Sequence, residues 1–222
     1  MRDKRKSAEY FSTYIRYEKD RIEKRLDKLR DCTDAAKTVR ISENLFRSQM
    51  NLLIASFSAG ADKNELYEIY GAMCKTAENV HTLSYWEALV LETFAVMMDS
   101  ADAVKPVLDK FEQIFVSDKL LNGLASFLQT GKAEWVGTYQ FAEPYAKLDA
   151  VLAAPTAARA EQALKEYLYL WYSQCADYAW YNTVNNTNDV YYGYWCFEAA
   201  ALVRILGLNE DALASREYYP KL

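Results

Sequence analysis

Histidine is nearly absent from this chain: His81 is the only one among 222 residues. Zinc sites and most nucleophile–imidazole arrangements place a histidine among other ligands or partners, so those chemistries have little to build on here. His81 stands between Val80 and Thr82 at an expected helix boundary and reads as a capping or packing residue. Glycine and proline are scarce, at 7 and 4. Sheets need frequent turn residues, so a strand-and-turn architecture is disfavoured, and no glycine-rich phosphate loop is present. Cys32, Cys74, Cys175 and Cys196 lack both metal-ligand spacing and the density of a disulfide framework, and read as reduced core residues. No run of about 18 uncharged apolar residues could span a bilayer, and no apolar signal core follows the charged start Met1–Lys6. The expected compartment is the cytoplasm. No cofactor, metal or membrane partner is expected.

What the chain does hold is apolar and aromatic: 51% hydrophobic residues, with 18 Tyr and 5 Trp. That is ample for a sizeable core. Phe11, Ile15, Ile22, Leu26 and Leu29 recur at helical spacing over about 5–31, with Tyr10, Tyr14 and Tyr17 widening the stripe. The charges between them, from Arg16 through Glu18 to Arg25, read as a mixed-sign solvated face. Further helices are expected over about 38–58, 63–79, 83–98, 103–116, 118–129, 143–153 and 157–181, with a packed turn around Trp135, Val136 and Tyr139. Short connections and the lack of a fixed repeat predict an all-α fold, one compact array of antiparallel helices over 1–222.

Charge is unevenly spread. Residues 1–47 carry 14 Lys+Arg against 9 Asp+Glu, a surplus of five positive charges. Residues 48–222 carry 12 against 22, a deficit of ten. An acidic body disfavours direct nucleic-acid binding, which rests on phosphate neutralisation. It favours a basic partner through complementary fields.

The last third organises the chain. From Tyr194 to Leu206 only Glu198 and Arg204 are charged, which predicts a buried helix of some 20 Å ended by Gly207. Glu198 then faces inward among Tyr194, Trp195, Ala201 and Leu202, where a carboxylate must be hydrogen-bonded or paired. It can be a catalytic acid or an anchor for tyrosine hydroxyls or an arginine. Without a second carboxylate at motif spacing, the anchor is favoured.

Before that helix lies the asparagine-rich loop Tyr181–Asp189. Tyr178, Trp180, Tyr181, Tyr191 and Tyr192 flank it, together with the carboxylates Asp177 and Asp189. Aromatics beside carboxylates suit a protein-binding patch. The same aromatics would equally brace the loop against the buried helix.

The run Tyr192-Gly193-Tyr194-Trp195-x-Phe197-Glu198-Ala199-Ala200-Ala201, then Ile205-Leu206-Gly207-Leu208 and the closing Tyr218-Tyr219-Pro220, resembles the carboxy-terminal domain of the PoNi family. These are bacterial immunity proteins against polymorphic nuclease toxins of the PoNe type. Arg2-Asp3, Tyr10-Phe11 and Tyr14-Ile15 are similar to the family's amino-terminal region. On this resemblance 1–130 corresponds to the amino-terminal region and 131–222 to the carboxy-terminal one. It implies an all-helical protein that binds a cognate DNase toxin and blocks it, protecting the producer and its kin. The expected partner-binding residues are Asp177, Tyr181, Asp189, Tyr191 and Tyr192, with Gly193, Tyr194, Trp195 and Glu198 as structural motif residues. A helical enzyme using Glu198, or a helical scaffold without a toxin partner, are the competing readings.

Overall fold

Ser7 starts the first helix, its hydroxyl accepting the Tyr10 N–H at 3.1 Å. In the computed structural model, which describes residues 1–222, this helix, α1, runs Ala8–Arg30. Asp34 caps α2 (Ala35–Ala59), which ends at Gly60 in the left-handed conformation that residues with a Cβ rarely adopt. Asp62 caps α3 (Lys63–Ala77) through the N–H groups of Asn64 and Glu65. Then follow α4 (Tyr85–Met98), α5 (Ala101–Lys110), α6 (Glu112–Phe115), α7 (Lys119–Thr130), α8 (Ala142–Tyr145), α9 (Leu148–Leu152), α10 (Ala157–Gln174) and α11 (Phe197–Leu206). There is no strand, as the scarcity of turn residues predicts, and no helix is long and apolar enough to cross a membrane.

The chain divides into two compact units. The first comprises Met1–Glu87, Asp102–Phe111 and Thr183–Gly193. Here α1 packs on α2 and α2 on α3, around Phe11, Leu45, Leu53, Phe57, Leu66 and Tyr70. The stripe read from sequence for α1 is only partly the buried one: Phe11, Tyr14 and Glu18 are buried, whereas Leu26 is 47% exposed. Glu18, expected on the solvated face, is instead inside, paired with Arg21 at 2.9 Å and accepting from Asn51 Nδ2 at 3.4 Å. Seven residues on from Phe11, it completes two helical turns of the same face. His81 is exposed in the connection from α3 to α4 and neither caps nor packs.

The second unit comprises Ala88–Ala101, Glu112–Asn182 and Tyr194–Leu222. α10 packs against α8, α9 and α11, over a core that includes Phe94, Leu124, Tyr145, Trp171 and Phe197. Asp118 caps α7, accepting from Leu120 and Leu121 N–H, and its other oxygen takes the Gln140 N–H at 2.6 Å. That carboxylate ties the irregular stretch after α7 back to the helix start. A Cβ on Gly123 would lie 1.9 Å from the Trp135 ring, so only glycine lets that ring lie on α7. Val136, expected to pack there, is 64% exposed.

Three expected helices are shorter or broken. The one predicted over 103–116 is interrupted at Phe111, and that over 143–153 is two short turns with Glu143 in extended conformation between helical residues. The helix predicted to reach 181 stops at Gln174, because Trp180 stacks on Trp171 at 5.4 Å and Tyr181 on Tyr172 at 4.6 Å. Nine residues along a helix are about 13 Å apart, so the chain must turn back to make either contact.

Glu92 on α4 is wholly buried and neither of its oxygens has a hydrogen-bond partner. Burial, with Asp118 adding like charge, pushes its pKa well above the usual carboxylate value of 4.5. The folded state therefore holds this proton more tightly than the unfolded chain. The contribution of Glu92 to stability is most favourable below about pH 4.5 and is lost as pH rises through that value toward the folded pKa. Glu92→Gln should remove this decline, raising stability at pH 8 by about 2 kcal/mol and much less at pH 4. Urea melts across pH 4–9 check this; parallel profiles for variant and wild type would show that Glu92 does not titrate in this range.

Candidate functional site

Tyr10, Thr13, Tyr14 and Tyr17 lie at intervals of three and four on α1, one continuous helix face. Opposite them runs the segment Asn188–Val190, and between the two is a cleft of about 550 Å³, completed by Ser7 and Glu9. Glu9 and Asp189 are its carboxylates, both exposed, and no lysine or arginine lines it. Tyr17 is 54% exposed, while Tyr14 is buried with its pKa raised by burial and next by Glu18, so its phenol stays neutral. Lys6 lies 5.0 Å from the Tyr10 ring centre and Arg21 lies 5.2 Å from that of Tyr17. Cations already rest on two of these rings at the cleft's edges, which shows what the ring faces can attract.

The segment opposite α1 is tied down by groups far away in sequence. The Tyr10 hydroxyl donates to the Tyr191 carbonyl at 2.9 Å and accepts the Tyr191 N–H at 3.0 Å. The Tyr191 hydroxyl donates to Asp3, a carboxylate 1% exposed whose other oxygen accepts from the Arg5 backbone and guanidinium. Ser58 donates to the Tyr192 carbonyl at 2.8 Å, and its own carbonyl accepts the N–H groups of Arg2 and Asp3. Arg2 in turn donates to the carbonyls of Phe57 and Ala61 and sits 4.5 Å over the Phe57 ring.

The expected binding residues are therefore sorted by the structure. Asp189 lines the cleft. Tyr191 is 1% exposed and fixes the segment from behind, so its ring offers no surface to a partner. Tyr192 is half-buried. Asp177 and Tyr181 belong to the second unit, Asp177 exposed and Tyr181 half-buried on the Tyr172 ring. The α1 tyrosines and Glu9 were not foreseen as a site. Their spacing was visible, yet spacing marks a helix face without saying whether anything covers it.

In the second unit, the helix predicted from Tyr194 begins only at Phe197. Gly193 has φ 126°, and the Cys196 N–H bonds the Tyr218 carbonyl at 2.9 Å, so residues 194–196 stay outside the helix. Tyr194 and Trp195 are consequently not helical neighbours of Glu198. Glu198 is 0% exposed, and one oxygen accepts from the Tyr167 hydroxyl and the Trp171 Nε1–H, each at 2.7 Å, joining α11 to α10. Burial raises its pKa, and these donors, Tyr167 foremost, only partly offset that. Tyr194 packs on Tyr172 at 5.0 Å and on Trp180 at 5.6 Å. Cys74, Cys175 and Cys196 are buried, with burial pushing up each thiol, the first to about 12, while Cys32 is half-buried. No group of three or more His, Cys, Asp or Glu could hold a metal ion.

Fold and site together define an all-helical protein with an aromatic, carboxylate-edged cleft on one unit and a buried Glu–Tyr–Trp cluster in the other. The fold is similar to the crystal structure of protein PA2201 from Pseudomonas aeruginosa, with TM-score 0.77 and 18% identity over 98% of this chain and 88% of that one. Residues 116–222, just under half of the chain, match the model for the PoNe immunity proteins (PoNi), C-terminal, and are similar to that family over this region. The motif Tyr192–Ala201 and the closing Tyr218–Pro220 both fall inside the match. No curated protein matches the chain.

Tyr191→Phe removes one donor and leaves an Asp3 oxygen buried without it. Stability should fall by about 1–3 kcal/mol, and amide exchange should accelerate at Val190–Tyr192 ahead of the α2 core. Hydrogen-exchange mass spectrometry reads both, and unchanged exchange there would mean that the segment is held by its other contacts alone.

Proposed function

We propose that the protein is an immunity protein that binds a cognate DNase toxin in the cytoplasm and neutralises it by covering its DNA-binding or active-site cleft. The match to the PoNe immunity proteins over residues 116–222 carries this reading. The charge distribution and the cleft support it. A nuclease presents positive groups to phosphate, and those groups suit a surface of carboxylates and tyrosine faces. The cleft beside α1 has that chemistry, with Glu9 and Asp189 at its edges and the rings of Tyr10 and Tyr17 within reach. The surplus of ten acids over residues 48–222 adds a long-range attraction. Asp177, exposed on the second unit, belongs to the same proposal as a further acidic contact.

Stopped-flow binding to a catalytically inactive cognate toxin tests this. The on-rate should fall as salt rises, since exposed charges beyond about 8–10 Å are screened near physiological ionic strength. Glu9→Lys with Asp189→Lys should slow association by about tenfold at low salt and weaken protection of cells, with the fold intact by circular dichroism. Asp177→Lys should have a smaller effect. Full protection by the double reversal, together with a salt-independent on-rate, would remove the cleft as the docking site.

A further inference from the structure

The two ends of α1 differ sharply in charge. Beyond the tyrosine stripe, Arg21, Lys24, Arg25 and Lys28 repeat at intervals of three, one and three, one helix face. On α2, Lys37 and Arg40 start a face at the same spacing, continued by Ile41 and Asn44. These two faces line a single cleft of about 540 Å³ near the α1–α2 turn. Six cations line it and no carboxylate does. Arg21 is paired with Glu18 and Lys37 lies 3.6 Å from Asp34. Lys24, Arg25, Lys28 and Arg40 make no ion pair.

Helix pairs ordinarily set opposite charges against each other, and like charges at these spacings are mutually destabilising. Arg25 bears this out: its half-buried guanidinium finds only the Arg21 carbonyl, at 3.1 Å. Burial and then the adjacent Arg21 hold its pKa below the usual value. The acidic residues of α1 nearest in sequence, Asp20, Glu23 and Asp27, are exposed and do not line the cleft, and Asp27 is engaged by Arg30. Four of the six cations, Lys24, Arg25, Lys28 and Arg40, therefore have no ion-pair partner from the protein itself.

We infer that this cleft binds a compact, multiply charged phosphate anion. Arginine forks and lysine ammonium groups on facing walls suit tetrahedral oxyanions, with several phosphate oxygens contacted at once. The volume is that of a small-ligand site. The net charge of −5 disfavours an extended polyanion such as duplex DNA, which must neutralise many phosphates along its length. The inference does not depend on toxin binding.

The probe is inorganic tripolyphosphate, titrated by calorimetry into the full chain at low ionic strength, with duplex DNA as a second arm. Saturable 1:1 binding of tripolyphosphate is expected. Lys24→Gln with Lys28→Gln and Arg40→Gln should weaken it by about tenfold or more. The same triple variant should melt higher than wild type without ligand, because it relieves repulsion, a result a folding defect cannot mimic. Lys4→Gln with Lys75→Gln and Lys105→Gln removes equal charge elsewhere and should leave binding unchanged. The inference is overturned by absence of saturable binding, by equal loss in the two triple variants, by a triple variant that melts lower, or by DNA binding tightly where tripolyphosphate does not.

Discussion

The hydroxyl of Tyr191, donated to the buried carboxylate of Asp3, is the contact on which the candidate binding site depends. It joins residues 188 positions apart, and the groups around it leave little freedom. Arg5 takes the other Asp3 oxygen, Tyr10 brackets the Tyr191 peptide, and Ser58 holds the next carbonyl. A carboxylate this buried is costly unless its oxygens are satisfied, so the same bonds that make Asp3 tolerable also fix the wall of the cleft. Asp189 stands two residues before Tyr191, close enough for its position to be set by that anchoring. A carboxylate on an otherwise irregular segment is thus pre-positioned, which would lower the ordering cost of any association made through it.

The fold class was legible because it follows from composition and period: few glycines and prolines, and apolar residues three and four apart. Helix ends were less legible wherever a distant side chain decides them. Trp180 on Trp171 ends α10 early, and the Tyr218 carbonyl takes the Cys196 N–H that a longer α11 would have used. Neither contact leaves a local signature. Glu198 shows the same limit: its inward face is legible from the period, which puts Tyr194 and Trp195 beside it, whereas the donors are Tyr167 and Trp171 on another helix. Asp189 stands out in the sequence as a carboxylate among aromatics, and it lines the cleft. Tyr191 carries the same local signature and is buried, its hydroxyl on Asp3. The face formed by Tyr10, Tyr14 and Tyr17 has the period of a core stripe, and a period cannot distinguish a covered stripe from an open one.

The two clusters on α1 also bear on each other. Tyr17 and Arg21 are one turn apart, about 6 Å along the axis, and the Arg21 guanidinium lies over the Tyr17 ring while bonding Glu18. This residue marks the change from a carboxylate-edged aromatic face to a basic one. The arrangement follows the helix dipole as well, with Glu9 in the first turn and Lys28 and Arg30 in the last. Under the proposed function, a basic partner would be drawn toward the start of α1 and turned away from its end, so the two clusters would select orientation as well as encounter.

How strongly they do so depends on screening. Lys24 and Lys28 are seven and eleven residues beyond Tyr17, some 10–16 Å along the helix. At about 0.15 M salt the Debye length is about 8 Å, so the basic cleft barely reaches the aromatic one and each acts locally. At about 0.01 M the length grows to about 30 Å and the two fields overlap, so the basic end subtracts from the attraction of the acidic face. An anion seated among Lys24, Arg25, Lys28 and Arg40 would cancel that subtraction. Occupancy of the basic cleft would then speed the approach of a basic partner most at low salt, with no change in shape, through charge alone.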